Sequence, residues 1–309
     1  MSRTIVGVLR GGPSSEYEHS LKSGAAILNA LPEDRYDARD IFIDKTGLWH
    51  MRGQPADPAR ILSQIDVVWN ALHGGVGEDG TVQRLLERSG VPYAGSRALA
   101  SSISLNKIRS RELLRAAGIL MPRAASFTLQ NDITTADMAR AVFDQFGPPY
   151  VVKPASEGSG FGIIIADSIV DLPDAIGDIL DAYGAVLVEE LIRGQEATAG
   201  VIEDFRDESL YVLPPAHIHA SRAGFAVPSP FSFSDKERIA QVARAAHTVL
   251  GMSHFSNADF VLTKRGPYLL EVNAIPHLHA EGALHHMLES VGSSIREFAE
   301  HAIHLARKS

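Results

Sequence analysis

Three oxygen-bearing side chains stand close together in residues 256–276, where two apolar segments at 260–263 and 268–272 predict a β-hairpin. Glu271 and Asn273 are two residues apart on the second strand and therefore share one face. A hairpin loop of three or five residues around Gly266 would place Asp259 on that same face, and an even loop would place it on the other. Oxygen ligands of this kind suit Mg²⁺ or Mn²⁺. The alternative is an ordinary polar face of a sheet.

A lysine followed by a glycine-rich loop forms the second chemical signal. The strand predicted at 150–153 ends at Lys153, and residues 154–162 contain three glycines and two serines, among them Ser159. One fixed positive charge beside many free amides suits a triphosphate. The loop is neither a Walker A motif, because its lysine precedes the glycines, nor a dinucleotide fingerprint, because no helix follows at once.

Two further glycine-rich turns follow strands near the N-terminus. Glu16 begins a predicted helix at 16–31, where it could cap the helix or hold a substrate ammonium group. His73 follows a strand predicted at 66–72 and opens a turn with four glycines in residues 74–80. Because ligands bind at the carboxyl ends of strands in α/β sheets, His73 is either a site residue or a structural histidine.

The remaining elements frame these signals. An apolar strand at 186–192 carries Glu189 and Glu190, whose carboxylates could bind an adenine amino group and ribose hydroxyls or be solvated. A strand is predicted at 209–219. Residues 220–233 form an irregular segment that could cover a site, and residues 235–250 form a helix capped by Ser234.

The composition narrows the class of protein. The chain has 309 residues, enough for two or three domains, and a formal net charge of −8, which argues against a nucleic-acid partner. The absence of cysteine excludes disulfides and thiolate catalysis. No apolar run is long enough to cross a membrane and the N-terminus lacks a secretory signal, so we expect a cytoplasmic protein.

Seven segments, taken in order, resemble the ATP-grasp enzymes, and specifically the D-alanine:D-alanine ligase family. They are GGPSSEYEHSLKSG (11–24), ALHGGVGEDGTVQ (71–83), VPYAGS (91–96), LNKIRSRELLRAAGI (105–119), VVKPASEGSGFG (151–162), VLVEELIRGQE (186–196) and YLLEVNAIP (268–276). The resemblance implies an α/β (α+β) ATP-grasp fold with a Rossmann-like N-terminal domain at 1–95, a small central α+β domain at 96–187 and a C-terminal α+β domain with the metal site at 188–309. It also implies ATP and Mg²⁺ or Mn²⁺ as cofactors, small amino-acid substrates and a homodimer.

The resemblance assigns roles to individual residues. Lys107 and Lys153 match the lysines that contact ATP phosphates, and the loop around Ser159 matches the one that closes over the γ-phosphate. Glu16 matches the acid that binds the first amino acid's ammonium group, and His73 lies near that substrate. The remaining nucleotide and metal positions implied by the match are Glu157, Gly158, Glu189, Glu190, Ile192, Glu196, Phe260 and Leu270 for ATP, and Asp259, Glu271 and Asn273 for Mg²⁺.

The departures from the family pattern concern the acceptor half of the reaction. Where the family has an arginine that stabilises the oxyanion, this chain has Asn257, which we expect to act in catalysis with less positive charge. The family's Ser-Pro-Gly-Met is replaced by residues 275–278, Ile-Pro-His-Leu. Gly282 and Ala283 align with the residues that help hold the second carboxylate, and no Lys-Tyr pair occurs in residues 220–233.

The leading hypothesis is an ATP-dependent ligase that joins a carboxylate to an amine through an acyl phosphate, as in D-alanine:D-alanine ligation for peptidoglycan biosynthesis. The alternatives are a ligase with another amino-acid or amine acceptor in specialised metabolism, and a nucleotide-binding homologue without ligase activity. A zinc hydrolase is a third alternative, suggested by the chain's 13 histidines and the pairs His217/His219 and His277/His279, although the sequence marks no third ligand.

Overall fold

The structure is a computed structural model that describes residues 3–158, 160–218 and 224–308. Three sheets follow one another along the chain, and helices pack on each of them. This mixed architecture confirms the predicted α/β class. Among the described residues, no helix is both long enough and apolar enough to cross a membrane.

The first sheet has six strands in the order β4-β3-β2-β1-β5-β6. Strands β2, β1, β5 and β6 run parallel, whereas β3 and β4 add antiparallel strands at one edge. Its elements are β1 (Thr4–Gly11), α1 (Tyr17–Ala30), β2 (Tyr36–Ile43), β3 (Trp49–Met51), β4 (Gln54–Pro55), α2 (Pro58–Leu62), β5 (Val67–Asn70), α3 (Thr81–Ser89) and β6 (Tyr93–Ala94).

The order of the parallel strands reverses beside β1. From β1 the chain forms β2 on one side and later β5 on the other, so the loops that follow β1 and β5 lie next to each other. Ligands in open α/β sheets bind at such a reversal. The loop after β1 ends at Glu16, and the loop after β5 contains His73 and Glu78.

The second sheet has four antiparallel strands in the order β7-β10-β8-β9. Helices α4 (Ala98–Leu105) and α5 (Lys107–Ala116) precede it. Its elements are β7 (Ala124–Thr128), α6 (Thr135–Phe143), β8 (Tyr150–Pro154), β9 (Ile164–Ala166), α7 (Leu172–Tyr183) and β10 (Ala185–Glu190). Strand β8 delivers Lys153, and the adjacent β10 delivers Glu189 opposite Val151.

The third sheet has the order β14-β13-β11-β15-β16, with β12 paired to β11. Its elements are β11 (Gln195–Phe205), β12 (Glu208–Val212), β13 (Ala216–Ile218), β14 (Phe225–Ala226), α8 (Phe233–Val249), β15 (Phe255–Thr263), β16 (Gly266–Asn273), α9 (Ala283–Ser290) and α10 (Ile295–Ala306). All of its pairings are antiparallel among the described residues.

Two details of the sequence prediction are wrong. The strand predicted at 209–219 is divided into β12 and β13, because Pro214 and Pro215 supply no N–H for a ladder. Helix α8 begins earlier than predicted and is capped by Ser232, not Ser234, since Ser232 Oγ accepts from Asp235 N at 3.1 Å.

The β15–β16 hairpin reaches the predicted arrangement by a different route. Its loop is the two-residue Lys264-Arg265, because Thr263 pairs with Gly266. An even loop alone would turn Asp259 to the other face. The register shifts between Asp259 and Phe260, where Leu270 is the extra residue of a β-bulge, and Asp259 therefore lies directly opposite Glu271.

The C-terminal helix joins the first and third sheets. Phe298 of α10 is fully buried between Trp69 of β5 and Phe255 of β15, with ring centroids 5.8 and 5.1 Å apart. Trp69 and Phe255 also stack on each other at 5.8 Å. One apolar core thus fixes the position of the first sheet relative to the metal-site hairpin.

This shared core predicts that Phe298→Ala is strongly destabilising. Removing a buried aromatic ring should lower the free energy of unfolding by about 3–5 kcal/mol. Urea denaturation followed by fluorescence measures the change. The matched control is Phe233→Ala, because Phe233 is 80% exposed and its loss should change stability by about 0.5 kcal/mol or less. Equal effects of the two substitutions would contradict this description of the core.

Candidate active site

Two cavities meet at the hairpin acids. One, of about 380 Å³, lies between the first and third sheets, and the other, of about 320 Å³, lies between the second and third sheets. Asp259 and Glu271 line both cavities. A ligand in one cavity can therefore be brought against a ligand in the other at these carboxylates.

Asp259 and Glu271 form a half-buried pair of acids. Burial, with the neighbouring Glu271 charge, raises the pKa of Asp259 to about 6. Burial also disfavours the charge on Glu271, but Lys107 and Lys153 outweigh it and hold the pKa of Glu271 below its ordinary value. Lys107 Nζ lies 2.9 Å from Glu271 Oε2, and Asn273 Nδ2 donates to Asp259 Oδ2 at 3.0 Å.

This set of donors fits a hard divalent cation. Two carboxylates and an amide converge on one face of the hairpin. Burial and then the charge of Glu271 disfavour ionised Asp259, and a bound cation would offset both effects. In addition, Asn257 Oδ1 is buried and makes no hydrogen bond within the described part of the chain. The residues predicted as metal ligands are thus brought together by the fold.

Asn257 is held by its amide protons. Its Nδ2 donates to Thr198 Oγ1 at 2.7 Å and to Asp259 Oδ1 at 3.1 Å, and the residue lines the larger cavity. Both amide protons are therefore engaged with protein oxygens. In this arrangement Asn257 orients Asp259 and offers its carbonyl oxygen to its surroundings.

The smaller cavity contains the predicted phosphate-binding lysines. Lys153 Nζ lies 2.6 Å from Glu189 Oε2, and Arg111 Nη1 lies 2.9 Å from Glu189 Oε1, so a buried carboxylate links two cations. Burial lowers the pKa of Arg111. Sequence reasoning missed Arg111, although its spacing of four residues from Lys107 on a predicted helix places both on one helical face.

The nucleotide positions implied by the family resemblance gather in this cavity. Glu190 lines it, but its two carboxylate oxygens accept from Arg123 N and Nε, each at 2.8 Å. Ser159 lies outside the described residues, and Gly158 lines the larger cavity instead. The predicted residues that line the smaller cavity are Lys107, Lys153, Glu157, Glu189, Glu190, Ile192, Glu196, Phe260 and Leu270.

The loop after β8 connects the two cavities. Lys107 Nζ donates to the Glu157 carbonyl at 2.6 Å, and Ser15 Oγ donates to Glu157 Oε2 at 3.0 Å. Gly158 passes so close to Glu16 that a Cβ at position 158 would lie 2.4 Å from Glu16 Oε1. The absence of a side chain at Gly158 therefore allows the loop to close against the first sheet.

Glu16 faces the larger cavity and does not cap its helix. It occupies the N-cap position of α1 without a side-chain capping bond, and only 3% of the residue is exposed. Its Oε2 lies 3.2 Å from His277 Nε2. The capping alternative is therefore wrong, and the buried carboxylate lies at the wall of the cavity.

His73 lies behind this wall. Its Nε2 is 2.8 Å from Ser23 Oγ, and its ring packs edge-on against His277 with centroids 4.6 Å apart. Burial lowers the pKa of His73 well below its ordinary value, so the ring is neutral. His73 does not line either cavity, and it positions His277 from behind.

Glu78 is a site residue that sequence reasoning missed. It lines the larger cavity and accepts from Gly74 N at 2.7 Å. Burial, followed by the charge of Glu16, raises the pKa of Glu78 to about 8. An acid within the glycine-rich turn at 73–80 was the available signal, because a turn that approaches a ligand closely also brings its polar side chains there.

The histidine pairs that suggested a zinc hydrolase have different surroundings. His217 packs against Phe231 at 5.4 Å, and His219 lies outside the described residues. His277 and His279 do meet, and His19 of α1 joins them at the wall of the larger cavity. Burial, with the charges of His277 and His19, lowers the pKa of His279 to about 4.

Comparisons with known proteins agree with this geometry. Residues 50–96 match the family described as D-ala D-ala ligase N-terminus, and residues 113–304 match D-ala D-ala ligase C-terminus. The chain is 36% identical over 288 residues to the D-alanine–D-alanine ligase of Geobacter sulfurreducens, covering 91% of this chain and 86% of that protein. It is 33% identical to that of Desulforudis audaxviator, covering 98% of each.

Solved structures show the same fold. The D-alanine–D-alanine ligase of Bacillus anthracis complexed with ATP has a TM-score of 0.82 and 27% identity, covering 99% of this chain and 98% of that one. The VanG D-Ala:D-Ser ligase of Enterococcus faecalis has a TM-score of 0.87 and 26% identity, covering 99% and 100%. The ligase of Coxiella burnetii has a TM-score of 0.89 at 24% identity, covering 100% of this chain and 95% of that chain.

The raised pKa of Glu78 predicts a pH effect on stability. The native state keeps this proton up to about pH 8, whereas the unfolded chain loses it near 4.5. The unfolding free energy of the wild type should therefore fall as pH rises between these values, by up to about 1.4 kcal/mol per pH unit from this group. Glu78→Gln resembles the protonated acid and removes this dependence.

Urea denaturation of both proteins between pH 5 and 9 measures the difference. We expect Glu78→Gln to become more stable than the wild type as pH rises, with the gap levelling off above about pH 8. Glu208→Gln, at an exposed acid of β12, is the matched control and should follow the wild-type curve. Parallel curves for Glu78→Gln and the wild type would show that Glu78 is ionised in the native protein.

Proposed function

Because this chain belongs to the D-alanine–D-alanine ligase family of ATP-dependent, amide-bond-forming enzymes, we propose that it joins D-alanine to a second small amino acid. The observation that carries the proposal is the pair Asp259 and Glu271, which lines both cavities. ATP in the smaller cavity would meet the carboxylate of an amino acid in the larger cavity at this pair. Its place would be peptidoglycan biosynthesis.

The first step activates the carboxylate. An oxygen of the first amino acid attacks the γ-phosphorus of ATP, ADP leaves, and an acyl phosphate forms. In this proposal Lys107 and Lys153 hold the phosphates, with the loop around Ser159 closing over them. Asp259, Glu271 and Asn273 would hold Mg²⁺, or Mn²⁺, which when bound supplies positive charge to the phosphate oxygens. Arg111 and Glu189 fix Lys153 in place.

Glu16 positions the amino acid for this step. Its buried carboxylate faces the cavity and can bind a substrate ammonium group. His277 holds Glu16, and His73 supports His277 from behind. The remaining nucleotide contacts of the proposal come from Glu157, Glu190, Ile192, Glu196, Phe260 and Leu270.

The second step forms the amide bond. The neutral amine of the acceptor attacks the acyl carbon, and the C–O bond to phosphate breaks. Phosphate leaves with the proton lost by the amine and with one oxygen that came from the first carboxylate. Gly282 and Ala283 line the larger cavity at the N-terminus of α9. The N-cap residue is Gly282, which has no side chain to bond the first N–H groups of the helix. The N–H groups in the first turn of α9 suit the acceptor's carboxylate.

One observation favours an acceptor other than D-alanine. The wall near α9 carries His19, His277 and His279, and position 257 has a neutral amide where the family has an arginine. We therefore retain a ligase for a different small acceptor as the second candidate. The proposal also includes a homodimer, a cytoplasmic location and three domains, at 1–95, 96–187 and 188–309.

The experiment is phosphate release from Mg-ATP by the purified protein with D- and L-amino acids and small amines, singly and in pairs, followed by mass spectrometry of the products. Release with D-alanine alone and formation of its dipeptide would establish the first candidate. Release only with another pair would establish the second. ATP binding without release across the whole panel would overturn the ligase proposal in favour of a nucleotide-binding protein.

The metal-site assignment predicts the effect of Asp259→Asn. This substitution keeps the shape of the side chain and removes the charge, so kcat should fall by about a hundredfold or more. Stability should be retained, because repulsion with Glu271 is removed. Steady-state kinetics and thermal unfolding test both expectations, with Glu208→Gln as the matched control. Wild-type kcat in Asp259→Asn would contradict the assignment.

The close approach of Gly158 to Glu16 predicts the effect of Gly158→Ala. The added methyl group would lie 2.4 Å from Glu16 Oε1, so the loop or the carboxylate must move. We expect kcat/KM for the first amino acid to fall by about tenfold to a hundredfold. Gly147→Ala is the matched control, since no heavy atom of the described residues beyond its chain neighbours lies within 4 Å of its Cβ position. Equal kinetics for the two variants would show that this loop contact is dispensable.

A further inference from the structure

Three histidines from distant parts of the sequence meet at one wall of the larger cavity. His19 comes from α1, and His277 and His279 come from the loop between β16 and α9. One ring nitrogen from each lies within 4.8 Å of the others. The catalytic proposal uses His277 to hold Glu16 and gives His19 and His279 no role.

The distance between two of the rings matches that of a metal site. His19 Nδ1 and His279 Nε2 are 3.3 Å apart. Two nitrogens bound to a tetrahedral zinc ion at about 2.0–2.1 Å are separated by roughly 3.3–3.4 Å. The His277 ring stacks on His19 at 4.4 Å between centroids and lies 5.5 Å from His279. The rings of His19 and His277 are within 4° of parallel, so His277 must rotate before all three nitrogens face one ion.

The surroundings of the rings also suit ligation. His279 is 8% exposed, and its Nδ1 is buried without a hydrogen-bond partner among the described residues. The Glu281 carboxylate is 3.8 Å from that nitrogen. His277 Nε2 lies 3.2 Å from Glu16 Oε2, and a carboxylate on one ring nitrogen is the usual support of a histidine whose other nitrogen binds metal.

We propose that His19, His277 and His279 form a second metal site, which binds Zn²⁺ or a similar divalent transition-metal ion. Imidazole ligands suit such ions, whereas the oxygen ligands Asp259, Glu271 and Asn273 suit Mg²⁺. Three protein ligands leave a fourth position for water or a carboxylate. This inference concerns metal binding alone and does not depend on the proposed ligase activity.

The site has a consequence for the cavity. Glu16 lies against His277 Nε2, and coordination through the other His277 nitrogen would leave Glu16 on that ring. The bound ion and its open position would then occupy space beside Glu16. This consequence, unlike the metal site itself, rests on the proposed function: zinc should compete with the amino acid at Glu16.

The test is calorimetric titration of the untagged, full-length protein with Zn²⁺ in excess Mg²⁺, which keeps the oxygen site filled. We expect one tight Zn²⁺ per chain in the wild type. His19→Asn and His279→Asn should each weaken Zn²⁺ binding by about a hundredfold or more. That loss is larger than the roughly tenfold to hundredfold loss expected for a residue that only supports a metal ligand. His50→Asn and Asp259→Asn are the controls and should bind Zn²⁺ like the wild type.

Two further measurements guard against misfolded variants. Zn²⁺ should raise the thermal midpoint of the wild type and of His50→Asn but not of His19→Asn or His279→Asn, whose midpoints without metal should be near that of the wild type. X-ray absorption should report imidazole nitrogens at about 2.0–2.1 Å from zinc. The proposal would be overturned if the wild type bound no Zn²⁺ tightly. It would also be overturned if His19→Asn and His279→Asn both kept tight binding, or if only Asp259→Asn lost it.

Discussion

The active site depends on the position of Asp259 opposite Glu271. These two carboxylates face each other across the strands of the hairpin and repel each other. The protein tolerates them because Lys107 lies against Glu271, while the side-chain amides of Asn257 and Asn273 donate to Asp259. The β-bulge at Leu270 is what brings the two acids to one face. Without the bulge, the two-residue loop would leave one acid in each face of the sheet, and no shared cation site would exist.

The rest of the fold brings two binding surfaces to this pair. The second sheet contributes Lys153, which is anchored through Glu189 to Arg111 of a preceding helix. The first sheet contributes Glu16 from the point where its strand order reverses. Phe298 joins the core of that sheet to the third sheet. Gly158 allows the loop after β8 to lie against Glu16. The hairpin acids are thereby placed between the two cavities, to which the proposed function assigns the nucleotide and the amino acid.

Local sequence patterns were sufficient for the main elements and for many of the residues that line the cavities. Lys153 was predicted as a site residue because a strand ends there and glycines follow. Asp259, Glu271 and Asn273 were predicted because oxygen donors recur at strand spacing, and all four residues line the cavities. The bulge at Leu270 could not be predicted, since a register shift depends on how two strands pack and not on either strand alone. The division of the strand at 209–219, by contrast, was readable from Pro214 and Pro215.

Contacts between distant segments were the least accessible to sequence reasoning. His19 lies more than 250 residues from His277 and His279, so nothing in its neighbourhood indicated a shared cluster. Glu78 and Arg111 were overlooked for a related reason, because an acid in a glycine-rich turn and an arginine on a charged helix are usually solvated. Only the fold shows that both are buried, and burial is what gives Glu78 its raised pKa and Arg111 its fixed role beside Glu189.

The central claim is that a carboxylate in the larger cavity is phosphorylated by ATP in the smaller one. The most direct measurement starts from D-alanine labelled with ¹⁸O in its carboxylate. The protein receives this substrate together with Mg-ATP and the acceptor identified by product analysis. Mass spectrometry then measures the label in the released phosphate. The account predicts that each phosphate carries one labelled oxygen from the amino acid. Phosphate without the label, released while the amide product forms, would contradict an acyl phosphate and the arrangement of the two cavities proposed for it.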